Sequence, residues 1–207
     1  MQKFKLKQIA ARYGWDMSQL YHVVDDLEGI DAKFWICGGA LRRPILKEDT
    51  FEKSDFDFFF GSMGHYNTVK EALLARGYKL HRANDSNEEF HKEDEIDSKK
   101  VTIRVQLIKV SFYADLEAVL GSFDFTLCQL GWEPKTDDFI CGDTSLYDIA
   151  NKRIVMNKLQ FPVASLRRII KYTNQGFWAC QGAMTEFLTM VQKHDKDVSQ
   201  ETVRYFD

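Results

Sequence analysis

The chain has 207 residues, the size of one domain or of one domain with a small extension. Its 44% hydrophobic content, with 16 Phe, is enough for a sizeable core, and a net charge of −3 with a pI near 6.0 argues against broad electrostatic coating of nucleic acid. No apolar run approaches the roughly 18 residues of a membrane span, no leader-like segment opens the chain, and the four Cys lack a C-x-x-C pair, so a soluble cytoplasmic protein with reduced thiols and no membrane role is expected.

In chain order, residues 3–13 have helical spacing of apolar side chains and stop at Gly14, and a second helix carries Leu20, Val23, Val24 and Leu27 up to Gly29. This pair resembles a helix-turn-helix. The second helix bears Asp16, Asp25, Asp26 and Glu28, however, and these are poor partners for DNA phosphates. Packing of both helices on a sheet edge is the reading adopted. Strands are predicted at 34–37 and 55–60, a helix at 67–76 closed by Gly77, and a short strand at 78–81. The charge-dense stretch 84–100 reads as an exposed hairpin or mobile loop. Alternation of Val101, Ile103, Val105 and Leu107 predicts a strand over 101–110. A helix fragment at 115–120, a strand over 123–132, a turn-rich loop at 133–143 and helices from Pro162 to Lys171 and from about Phe177 to His194 complete the pattern. The five His show no metal-ligand spacing and read as surface residues.

The densest chemistry lies in FWICGGALRRPILKEDTFEKSDFDFFF, residues 34–60. Alternation on a strand points Asp55 and Asp57 the same way. Two adjacent carboxylates repel unless a cation lies between them, and an oxygen-only pair suits a hard divalent ion such as Mg²⁺. The Gly38-Gly39 turn lets backbone amides approach an anion, and Arg42 just beyond it is placed to meet a triphosphate with a bidentate guanidinium. A phosphate cradle beside metal-binding carboxylates is suited to moving a nucleotide from a nucleoside triphosphate. Arg167, Arg168 and Lys171, on one predicted helix, form either a solvated basic face or a contact for phosphate.

The Gly-Gly and Asp-x-Asp segments resemble the polymerase-beta-like nucleotidyltransferase superfamily, and GGALRRPIL is most similar to the GG-x-V-R-D opening of the head domain of CCA-adding enzymes and bacterial poly(A) polymerases. Arg43 stands where that family has Asp, and the gap to Asp55 is long, which implies a remodelled link. FDFTLCQLGW resembles the family's second motif through Asp124, Phe125 and Thr126, with Phe123 in place of Arg. SLYDIANKRIVMN and PVASLRRIIKYTNQGF resemble its later segments through Leu146, Asp148, Lys152, Ile154, Leu166, Arg167, Gly176 and Phe177, with Lys171-Tyr172 near an Arg-Phe position.

The resemblance implies an α+β fold, a mixed sheet flanked by helices with a C-terminal helical segment. It implies a catalytic domain over 1–160, with the N-terminal helices 3–28, and a helical extension over 161–207. It implies two Mg²⁺, with Mn²⁺ as a substitute, on Asp55 and Asp57, and a nucleoside triphosphate, ATP among the candidates, on Gly38, Gly39, Arg42, Asp124, Arg167 and Lys171. The acceptor is left open between an RNA 3′ end, a protein and a small molecule. The natural slot for a third acid, in VTIRVQLIKV, holds Gln106, so either two acids suffice, or Asp124 contributes, or catalysis is lost. With the acidic 84–100 loop, this keeps a catalytically inactive binding or regulatory module as the alternative. The tRNA-gripping helical body has no counterpart, so the resemblance carries over the chemistry class but not the tRNA substrate.

Overall fold

In a computed structural model of the chain, which describes residues 1–96 and 98–194, one mixed sheet organises the fold. Its strands are β1 (Gln2–Lys5), β2 (Phe34–Cys37), β3 (Phe56–Phe60), β4 (Lys79–Ala83), β5 (Asn87–Ile96), β6 (Lys99–Ile108), β7 (Leu130–Glu133) and β8 (Asp138–Cys141). The spatial order is β1-β8-β7-β2-β3-β6-β5-β4. Neighbours are antiparallel except β3 and β6, which run parallel with Phe56 opposite Val105 and Asp57 opposite Gln106.

The period of two divides the sheet into unlike faces. One face carries Phe34 and Ile36, Phe56, Phe58 and Phe60, Phe90, and Val105 and Leu107, all in the main core. Over that core pack α1 (Leu6–Tyr13), α2 (Ser18–Asp25) and α5 (Met63–Ala75) through Leu6 and Ile9, Leu20 and Val23, and Tyr66, Val69 and Leu73. The opposite face is apolar only in part. There Trp35, Cys37, Phe59 and Ile140 meet Leu116, Val119 and Leu120 of α6 (Leu116–Gly121). Gly131 permits this approach, because a Cβ there would come within 2.5 Å of the Leu116 side chain. Beyond α6 the same face turns polar.

The link from β2 to β3 folds into two short helices, α3 (Gly39–Ile45) and α4 (Thr50–Lys53), which is the remodelling that the long gap implied. Asp49 caps α4 by accepting from the Glu52 amide at 2.9 Å. Two further helices close the described chain after α7 (Ser145–Ala150), namely α8 (Pro162–Asn174) and α9 (Gln181–Gln192). The expected α+β class and the C-terminal helices are thus present. The last residues of the expected 161–207 extension, 195–207, lie outside the described residues.

Four expectations need correction. Residues 3–5 are not helical but belong to β1, which pairs with β8; Lys3 and Lys5 both bridge to Asp138 at 2.8 Å, and this long-range pairing overrides the local helical pattern. The stretch 84–100 is a hairpin, but it is not exposed throughout, since Ser86 to Phe90 are buried within the sheet. Residues 123–129 are not strand: a bend and a 3-10 turn at Thr126–Cys128 precede β7. Residues 133–143 contain β8, paired to β7 around a turn in which Asp137 adopts φ 59°.

Candidate active site

The polar half of the second sheet face is the floor of a cleft. Gly38, Gly39, Asp55, Asp57 and Gln106 line one side, Asp124 and Phe123 the end, and Ser165, Arg168 and Lys171 of α8 the opposite wall. The two carboxylates lie on one side of β3 because alternation sends Phe56 and Phe58 into the core.

Each carboxylate oxygen of Asp55 accepts one hydrogen bond. Arg104 donates from Nε to Oδ1 at 2.9 Å, and Gln106 from Nε2 to Oδ2 at 2.8 Å. Gln106 in turn accepts from Asn87 Nδ2 at 3.0 Å. The Asp57 carboxylate has no hydrogen-bond or ion-pair partner among the described residues. Burial, and next the charge of Asp55, push its carboxyl up to about 7, against the opposing pull of Lys171 and Arg168. An unpartnered, half-buried carboxylate beside a second one fits a divalent cation, with Asp57 as the principal ligand and the remaining lone pairs of Asp55 beside it. The donor set is all oxygen, as Mg²⁺ or Mn²⁺ requires.

Gly38 adopts φ 75° and turns the chain from β2 into α3. A Cβ on Gly39 would fall 2.3 Å from Ser54 Oγ, so a side chain here would require the Ser54 hydroxyl to turn away. Together they bring bare backbone to the edge of the cleft, next to Asp57.

Asp124 reaches the cleft from the bend before the 3-10 turn, not from a strand beside β3, whose neighbours are β2 and β6. It is 9% exposed and accepts on Oδ2 from Arg168 Nη1 at 2.7 Å and from Ser165 Oγ at 3.0 Å. The structure therefore brings Gly38, Gly39, Asp55, Asp57, Asp124 and Lys171 together. It does not bring Arg42 or Arg167 to them. Arg167 lies on the exposed side of α8. Arg42 is 3% exposed, with its guanidinium 4.9 Å from the Tyr172 ring and 5.5 Å from the Phe177 ring, and it donates to Gln175 Oε1 at 3.4 Å. It fastens α3 to α8 behind the cleft wall. Arg43 is likewise buried, in an ion pair with Glu48 at 2.5 Å.

Of the basic residues expected on this helix as a solvated face or a phosphate contact, Arg168 and Lys171 face the cleft and Arg167 does not. The signal for Arg168 was helical spacing: Ser165, Arg168 and Tyr172 fall at i, i+3 and i+7 and share the face that Arg167 leaves.

These features define a nucleotidyltransferase-like fold with a polar, carboxylate-floored cleft, and comparison with solved structures agrees on the fold. The complex of a CCA-adding enzyme with ATP superposes with a TM-score of 0.62 at 15% identity, covering 93% of this chain and 47% of that one. An apo form of a CCA-adding enzyme gives 0.59 at 14% identity over 93% and 47%, and a tRNA-processing enzyme complex 0.54 at 17% over 83% and 46%. The family model described as Gabija anti-defense 2 family protein matches residues 15–152, and the chain belongs to that family. A curated relative, "Gabija anti-defense 2" of Bacillus phage SPbetaL7, is 30% identical over 79 residues, which is 38% of this chain. The match spans only 20% of that relative's length. Among the described residues, no helix is long and apolar enough to cross a membrane.

Proposed function

We propose that this chain is a metal-dependent nucleotidyltransferase that acts against the Gabija defence by moving a nucleotide from a nucleoside triphosphate onto an acceptor. The observation that carries the reading is the free carboxylate of Asp57 beside Asp55, at the floor of a cleft with bare Gly-Gly backbone on one side and cations on the other. Asp55 and Asp57 would hold Mg²⁺ or Mn²⁺, which when bound supplies neutralisation of phosphate charge and activation of an acceptor hydroxyl.

The chain's own groups do the positioning. The backbone at Gly38 and Gly39 approaches the triphosphate without steric obstruction. Arg168 and Lys171 face it from α8 and offset its charge, while Arg42 acts from behind, by fixing α8 against α3. Asp124 orients Arg168 and borders the nucleotide. An RNA end, a protein and a small molecule all have a hydroxyl to offer as acceptor, and the family name favours a component of the defence system.

A specific observation favours a second reading, a nucleotide-binding module without turnover. Gln106 stands where a third acid would, and with Arg104 it occupies both oxygens of Asp55. Incubation with each labelled nucleoside triphosphate, Mg²⁺ or Mn²⁺, and Gabija components or cell extract separates the two. Transfer of label to an acceptor supports the enzyme; metal-dependent nucleotide binding with no transfer supports the module.

A further inference from the structure

We propose that His81, Glu89 and His91, on the sheet face that floors the cleft but outside its lining, form a second metal site, for a transition dication such as Zn²⁺. One ligand atom from each of the three lies within 4.8 Å of the others. The two His are ten positions apart in sequence; the β4–β5 hairpin closes that distance.

A bulge makes the convergence. Pairing runs from Leu80 opposite Phe90 to Arg82 opposite Glu89, so both His81 and Arg82 lie against Glu89. His91 follows Glu89 by two residues and shares its face. The rings of His81 and His91 stack with centroids 4.0 Å apart at 14°. Glu89 is 2% exposed, an unusual burial for a carboxylate on the outermost pair of strands. Its Oε1 lies 2.5 Å from His91 Nε2, and its Oε2 accepts from Arg82 Nη2 at 2.9 Å.

This donor set selects the ion. Two imidazole nitrogens and one carboxylate oxygen suit Zn²⁺ and its neighbours, whereas Mg²⁺ prefers oxygen alone. Arg82 already performs the service that outer partners give to ligating carboxylates: it fixes Oε2 and leaves Oε1 directed at the imidazoles. Tetrahedral ligation at about 2.0–2.1 Å sets donor atoms about 3.4 Å apart. Ring lone pairs lie in the ring planes, so His81 has to swing out of its stack to point at a shared ion. It is exposed on an exposed strand and is free to do so. Three protein ligands leave the fourth position to water, and the bound ion would clamp the edge strand β4 onto β5.

The test is titration of the chelator-stripped full chain with Zn²⁺ and with Co²⁺, in excess Mg²⁺ to occupy the cleft carboxylates, followed by calorimetry and by visible absorption of Co²⁺. One ion per chain is expected, with an intense tetrahedral Co²⁺ band and at least a tenfold loss of affinity in both His81→Gln and His91→Gln. Zn²⁺ is also expected to raise the melting temperature of the parent and not of His81→Gln, a surface variant whose circular dichroism checks the fold. Absence of saturable binding overturns the proposal. So does binding that is unchanged in His81→Gln, whatever His91→Gln does, because the three-ligand assignment then fails.

Discussion

Gln106 lies directly opposite Asp57 in the parallel β3–β6 pair, yet its side-chain amide is spent on Asp55, 2.8 Å away. The middle of the cleft floor therefore holds two carboxylates and an amide. One carboxylate is neutralised by Arg104 and the other is left to an incoming cation.

Replacing the amide with an acid tests that arrangement. Gln106→Glu removes a donor to Asp55 and adds a third negative charge, so in the absence of metal it is expected to destabilise by about 1–3 kcal/mol. Mg²⁺ should recover more stability in this variant than in the parent. Thermal melts with and without Mg²⁺ read both effects, and an identical Mg²⁺ response in the two proteins would remove Gln106 from the metal's surroundings.

Asp57 gives the cleft a pH signature. Its carboxyl ordinarily titrates at 3.8 and is raised to about 7 in the folded protein. Between these values the native state keeps a proton that the unfolded state has lost, so the stability it contributes is complete below the lower value and is lost as pH rises towards the upper. Without metal, the parent should become less stable from pH 5 to pH 7.5. Asp57→Asn should flatten that part of the profile and melt higher than the parent at pH 8, while losing the stabilisation by Mg²⁺. Melts across pH in chelator check this, and an unchanged slope in the variant contradicts it.

The cations divide into a structural one and facing ones. Arg42→Ala removes a buried side chain lying against two aromatic rings and should cost about 2–4 kcal/mol, a fall of roughly 5–15 °C in melting temperature. Lys171→Ala should melt closer to the parent and Arg168→Ala, which strips the buried Asp124 carboxylate of its cation, should also lose stability, yet both should weaken binding of a triphosphate more than of the monophosphate. Nucleotide titrations on folded protein decide the matter. A triphosphate-specific loss in Arg42→Ala but not in the other two would reverse the assignment.

Much of this was legible in the residues. Alternation about Asp55 and Asp57, and the Gly38-Gly39 turn, are local signals, and the strands they predict occupy the expected places. What stayed hidden is set by distant pairing. β1 exists because β8 gives it a partner, and the bend carrying Asp124 is held by the amides of Asn157 and Lys158, which donate to its carbonyl at 2.7 and 3.3 Å. Arg42 and Arg168 are both arginines near motif residues, and only the packing of α8 decides which one faces the cleft. The approach of His81 to His91 rests on a bulge with no signature in composition.

Asp124 joins the two sides of the cleft. Asp124→Ala leaves Arg168 without its 2.7 Å carboxylate and Ser165 without its acceptor, a loss of about 1.5–3 kcal/mol for a charged hydrogen bond. Nucleotide affinity should fall beyond what the lower folded fraction accounts for, since Arg168 loses the carboxylate that aims it. A thermal melt beside a titration separates the effects, and unchanged affinity per folded molecule would confine Asp124 to stability.

The central claim, that the carboxylate pair supports nucleotide transfer, is tested most directly by following label from α-phosphate-labelled nucleoside triphosphates in Mg²⁺ or Mn²⁺ with Gabija components present. The account predicts a labelled acceptor with the parent chain and none with Asp55→Asn/Asp57→Asn, with pyrophosphate released in step. Label transfer that persists in the double variant, or a parent chain that binds nucleotide and metal but labels nothing, would contradict it.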